Sequence, residues 1–123
     1  MLLFIDKKIE TKTILKLCQA HFGNFIKFVA DIDRQLIVAG GEMHADAEEL
    51  LLKNGSRQMS LWGANLYPEN QPGDRIECES FINIRPLDDN LATGIQNEAI
   101  REKVRQLAET LLLSPEEKIT LDD

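Results

Sequence analysis

Long apolar runs, paired cysteines and a surplus of basic charge are all missing from this sequence, and each absence removes a class of function. No stretch approaches the roughly 18 consecutive apolar residues of a membrane-spanning helix. Met1-Leu2-Leu3-Phe4-Ile5 precedes Asp6-Lys7-Lys8, whereas a secretory leader places its charges first and follows them with a longer apolar run. Cys18 and Cys78 are the two cysteines, too few for a disulfide framework. Each falls on the inward face of a predicted element and reads as a small buried thiol. A reducing cytoplasm is the expected location.

Basic residues are also short. Fourteen Lys and Arg stand against 21 Asp and Glu, a net charge of −7. The cations are scattered, so no continuous track exists for a phosphate backbone, and nucleic acid is not an expected partner. The same balance argues against an anionic membrane surface. Several nucleotide and hydrolase signatures are missing too: Gly-x-Gly-x-x-Gly, a phosphate loop ending in Lys-Ser/Thr, and a Gly-x-Ser-x-Gly elbow.

What remains is an ordinary globular composition, 43% hydrophobic and 28% charged over 123 residues, enough for one core. Leu2–Ile5 reads as a strand. Thr11 is a helix N-cap, and Ile14, Leu17, Cys18 and Phe22 form an apolar stripe that ends at Gly23. From Phe25 the period becomes two, with Ile26, Phe28, Ala30 and Ile32 on one face and Lys27, Asp31 and Asp33 on the other. A turn at Asp33-Arg34-Gln35 leads into Leu36-Ile37-Val38-Ala39, making a hairpin.

After Gly40-Gly41, Asp46 and Glu49 have the spacing of a capping box, although the box proper starts with Ser or Thr. That helix runs through Leu50-Leu51-Leu52 to Asn54-Gly55. Strands at 58–67 and 75–85 flank a turn-rich loop and pair antiparallel. Pro86–Gly94 is a second loop. Ile100, Val104, Leu107, Ala108, Leu111 and Leu112 then mark a final amphipathic helix that stops at Ser114-Pro115. The expected fold is α+β: a two-layer sandwich of about five mostly antiparallel strands and three helices packed on one face, in the order βαββαββα. The domain is expected to span residues 1–113, with 114–123 a loosely held acidic tail.

Chemistry-capable groups are densest at Gly40-Gly41-Glu42-Met43-His44-Ala45-Asp46. If this stretch is extended, Glu42, His44 and Asp46 point the same way and offer an imidazole and two carboxylates to a divalent metal or to acid–base work. The plainer reading has Asp46 capping the helix, Glu42 solvated and His44 bonded locally. A third has His44 in a metal-free binding site. His21, at the end of the first helix, reads as a capping residue. Gly63, between Leu61 and Asn65 on one strand face, leaves a gap where a ligand or partner can approach the backbone. Trp62, Ala64 and Leu66 form the core face of that strand. On the neighbouring strand, Asn83 and Arg85 are placed to meet Asn65 and Tyr67 and form a floor for a small anion, with Arg85 as the donor fork. A Cys78–His44 nucleophile pair would need Cys78 to leave the core.

With Gly40–Asp46, the stretches Gly55-Ser56, Leu61-Trp62-Gly63-x-Asn65-x-Tyr67-Pro68 and Ile82-Asn83-Ile84-Arg85-Pro86 give the chain a pattern that resembles a family of small uncharacterised prokaryotic proteins. The similarity covers about residues 1–112 and leaves the tail outside. The resemblance implies a shared fold and a shared site, and brings no reaction with it.

The leading functional expectation is a cytoplasmic regulatory or ligand-binding module with one polar cleft drawing on Glu42, His44, Asn65, Tyr67, Asn83 and Arg85. The alternative is a metal-dependent hydrolase with Glu42, His44 and Asp46 as ligands or acid–base groups and Arg85 as the anion clamp. Self-association is expected, because a short sheet in a small domain leaves an open edge. Duplex DNA in a gel-shift assay at physiological salt should show no appreciable binding; sub-micromolar, salt-sensitive retardation would overturn the charge argument.

Overall fold

The computed structural model describes residues 1–121. The elements follow the expected order: β1 (Leu2–Ile5), α1 (Thr11–Ala20), β2 (Ile26–Asp31), β3 (Leu36–Gly40), α2 (His44–Lys53), β4 (Leu61–Leu66), β5 (Ile76–Glu77) and α3 (Glu98–Leu111). The five strands form one antiparallel sheet in the spatial order β1-β3-β2-β4-β5. The fold is α+β. No described helix is long and apolar enough to cross a membrane.

The period-2 pattern of β2 sends Ile26, Phe28 and Ala30 to the larger core, where they meet Ile14, Leu17 and Cys18 of α1 and Val104, Leu107, Ala108 and Leu111 of α3. Val29 and Val38 point the other way and pack with Leu61 against Ala47 and Leu51 of α2. The expected layer of helices on one face is therefore extended by α2 on the opposite face. The physical reason is that the central strands β2 and β3 are apolar on both sides and need cover on both. Asp31 shapes the hairpin between them: its Oδ1 accepts from the Asp33 and Arg34 backbone N–H groups at 3.0 and 2.9 Å.

Two further expectations change. The strand expected over 75–85 shrinks to Ile76–Glu77, and residues 78–96 run as an irregular arm with short 3-10 turns at Phe81–Asn83 and Pro86–Asp88. The Asn83 side chain is the cause. It donates to the Gly63 carbonyl at 3.0 Å and accepts from the Gly63 N–H at 2.9 Å, doing with one amide what a neighbouring strand residue would do. Ser80 sits directly on Gly63, where a Cβ would lie 2.6 Å from the serine Cβ. The gap left by Gly63 is thus filled from within the chain.

The second change concerns the tail. Residues 114–121 are not loosely held. The buried Arg75 guanidinium donates to the Ser114 carbonyl at 3.0 Å and the Glu117 carbonyl at 2.6 Å, Lys8 pairs with Glu117 at 2.9 Å, and Ile119 enters the core. Asp122 and Asp123 of the expected tail lie outside the described residues.

Burial of Val104 among these side chains, at 0% exposure, makes Val104→Asp a strong test of the core. A buried large apolar side chain contributes about 1.5–3 kcal/mol, and an unpaired carboxylate in its place adds a further cost. That variant should unfold or melt far below the parent in a thermal scan. Asn83→Ala should cost about 3 kcal/mol in denaturant unfolding, because it strands both Gly63 backbone groups. Asn83→Asp should not restore that stability, since a carboxylate cannot donate to the Gly63 carbonyl.

Candidate functional site

The segment 42–46 is not extended. Helix α2 begins at His44, two residues before the expected cap, so Asp46 lies in its first turn and its side chain leaves in a different direction from His44. Asp46 is exposed and favours the helix N-terminus as a charge. Glu42 is also exposed, with its carboxylate 3.9 Å from His21 Nδ1. His44 alone turns inward. The three side chains face three surroundings and form no common ligand set, and no group of three His, Cys, Asp or Glu among the described residues is placed to hold a metal ion.

His44 is 7% exposed, and its Nε2 lies 2.8 Å from the Ala64 carbonyl oxygen on β4. A carbonyl only accepts, so Nε2 carries the proton and the neutral ring keeps Nδ1 as an acceptor. Burial disfavours the charged ring and holds its pKa below the usual histidine value; the Ala64 carbonyl opposes this, Lys27 adds repulsion, and the Asn65 side chain acts in favour of the charged form.

Asn65, next along β4, turns to the same face. Its amide nitrogen donates to Glu77 Oε1 at 3.0 Å and to the Glu79 carbonyl at 3.3 Å, and its buried Oδ1 has no hydrogen-bond partner. A cleft of about 220 Å³ opens here between Lys27, His44 and Asn65 on one side and Glu79, Ser80, Phe81 and Thr93 on the other. The arm supplies four of these seven residues. Glu79 accepts from the Thr93 hydroxyl at 2.8 Å, while Phe81 stands 84% exposed beside the cleft.

The other candidates lie apart from this cleft. Tyr67 approaches Glu77 at 3.5 Å and stacks on Phe25, which stacks in turn on Phe22, with ring centroids 4.9 and 4.5 Å apart. Burial and the Glu77 carboxylate both raise the Tyr67 pKa. Asn83 is wholly buried, with its amide committed to Gly63 and to the Thr93 carbonyl. Arg85 lies across the Trp62 ring, 4.3 Å from its centroid; it pairs with Asp88 at 2.8 Å and donates to the Ile82 carbonyl at 3.1 Å. It lines a separate cavity with Arg57, Met59 and Ile84. His44 and Asn65 are therefore together, and Glu42, Asp46 and Arg85 are elsewhere. Cys78 is partly buried, and burial pushes its thiol up to about 11, so it is not a thiolate near neutral pH.

Lys27, Glu79, Ser80, Phe81 and Thr93 were not among the residues singled out from sequence. Lys27 carried a signal, as a cation alternating with the core residues of β2. The arm residues had none, because the bridge between Glu79 and Gly94 that brings Thr93 to the cleft joins positions fifteen apart across irregular chain.

No curated protein and no solved structure matches the chain. The family model for a protein of unknown function (DUF5674) matches residues 3–111, which takes in all of the sheet but Leu2, the three helices and every residue of the cleft. This chain belongs to that family.

Proposed function

We propose that the protein is a ligand-binding module and that the His44 cleft takes a small polar molecule pairing a hydrogen-bond donor with an anionic group. The observation that carries this reading is the buried Asn65 Oδ1, which has no hydrogen-bond partner, on the cleft wall beside the mostly buried, neutral His44 ring. A buried acceptor without a donor is costly, and a ligand N–H or O–H relieves that cost. Glu79 adds a carboxylate for a charged donor. Lys27 supplies the cation for an anionic end, and the Ser80 and Thr93 hydroxyls give orienting contacts. Phe81, on the same cleft, offers an apolar cover.

The test is an NMR titration of isotopically labelled protein with a panel of free amino acids and small hydroxy acids. Shift changes are expected at Lys27, His44, Asn65, Ser80 and Thr93, and Lys27→Met should weaken them at least about 10-fold in affinity, the loss of one charge-assisted contact. A panel that leaves these residues unmoved, or moves only residues elsewhere, sinks the proposal.

The neutral state of His44 sets a pH dependence. Its folded pKa lies below the unfolded value of about 6.5, so protons favour the unfolded chain. The stability that rests on a neutral ring is complete above that value and is lost as the pH falls below it. Melting temperatures taken from neutral to mildly acidic pH should therefore drop more steeply for the parent than for His44→Gln. Parallel slopes would show that His44 is not held neutral.

A further inference from the structure

Leu87 is 99% exposed at the tip of a loop closed by the Arg85–Asn90 bridge. The loop is braced. The Asp88 N–H donates to the Arg85 carbonyl at 2.9 Å, the Asp89 N–H to the Pro86 carbonyl at 3.1 Å, and the Arg85 N–H to the Asn90 carbonyl at 2.8 Å. The Asp88 carboxylate holds Arg85 Nε at 2.8 Å from the side. A single exposed leucine on a surface needs no explanation. A leucine fixed on a rigid loop differs, because little ordering cost remains when it enters a partner.

Around it the surface has three further features. Ile84 and Met59 are 44% and 53% exposed, extending the apolar patch. A cavity of about 450 Å³ opens between Arg57, Met59, Ile84, Arg85 and Leu87. Arg57 and Asp89, both exposed, take part in none of the ion pairs among the described residues, whereas Arg85 and Asp88 neutralise one another.

We infer that a second copy of this chain covers this patch through a two-fold contact, with each Leu87 entering the other copy's cavity and each Arg57 facing the other copy's Asp89. A two-fold interface demands a self-complementary surface, with projection and recess, cation and anion, on one patch. Arg57 and Leu87 border the recess itself, and Asp89 ends the turn that carries Leu87. The chain's net charge of −7 works against self-contact over most of its surface. Here two arginines balance two aspartates. An acidic partner protein would suit Arg57 but oppose Asp89, which favours a second copy over a foreign acidic chain.

Sedimentation velocity across a micromolar-to-millimolar series tests this on the intact chain. The parent should pass from a 14.0 kDa monomer to a dimer as concentration rises. Leu87→Asp should raise the dissociation constant about 100-fold or more, as expected for a central anchor, while its melting temperature when monomeric stays that of the parent. Arg57→Asp should weaken the dimer, and the double variant Arg57→Asp/Asp89→Arg should recover it. Phe4→Asp, on the exposed β1 edge, should leave the dimer intact. A parent that stays monomeric throughout overturns the proposal. So does a dimer lost through Phe4→Asp but not Leu87→Asp, or a double variant that fails to recover.

Discussion

The pairing of one side-chain amide with both backbone groups of Gly63 carries more of this architecture than any other polar contact. Strand β4 is matched by β2 along its full length on one side, but on the other β5 covers only Asn65 and Leu66. Without Asn83 the middle of β4 would present a bare N–H and carbonyl beneath an irregular segment, and buried backbone groups left without partners are strongly disfavoured. Asn83 closes that gap, and glycine at 63 lets Ser80 come close enough to bring it there. Asn90 extends the arrangement, its amide donating to the carbonyls of Asn83, Ala92 and Gly94. Two buried asparagines thus do for residues 78–96 what a regular strand ladder does elsewhere.

Both functional readings depend on that arm. On one side it brings Glu79, Ser80, Phe81 and Thr93 to face His44 and Asn65. On the other it projects Arg85 and Leu87 beside Arg57 and Met59. An arm held by side chains leaves its own side chains free to point off the sheet rather than alternate with it. This explains how Phe81 and Leu87 come to be exposed while the polar Asn83 and Arg85 are buried.

Helix α2 plays the matching part from the other wall. Its apolar residues Ala47 and Leu51 lie on Val29, Val38 and Leu61, and His44 lies one turn before Ala47 on the same side. The imidazole is carried inward with that face to the Ala64 carbonyl. The same packing turns Asp46 and Glu42 outward, so the Gly40–Asp46 stretch contributes a single group to the cleft. Gly40 and Gly41 make the approach to α2 possible: both have positive φ, and a Cβ on Gly40 would lie 2.3 Å from the Met1 carbonyl oxygen.

Periodicity alone determined the α+β class, the order of the elements, the β2–β3 hairpin, the core face of β4 and the stripe of α3, because each rests on neighbours in sequence and on the alternation that burial imposes. The resemblance to an uncharacterised family was legible in the sequence, and the chain belongs to a family of unknown function. His44 and Asn65 were legible as candidates, since an imidazole and an amide stand out on otherwise apolar elements, and the fold brings both to one cleft. Their company there was not legible. Tertiary structure decided that α2 covers the second face, that the arm is not a strand, that Arg85 serves a different cavity, and that residues 114–121 are clipped down by Arg75. The arm and the clipped tail turn on side chains bonding to backbone far away in sequence. Such a bond leaves no period to read, because one polar residue written in the rhythm of a strand can take the place of the strand itself.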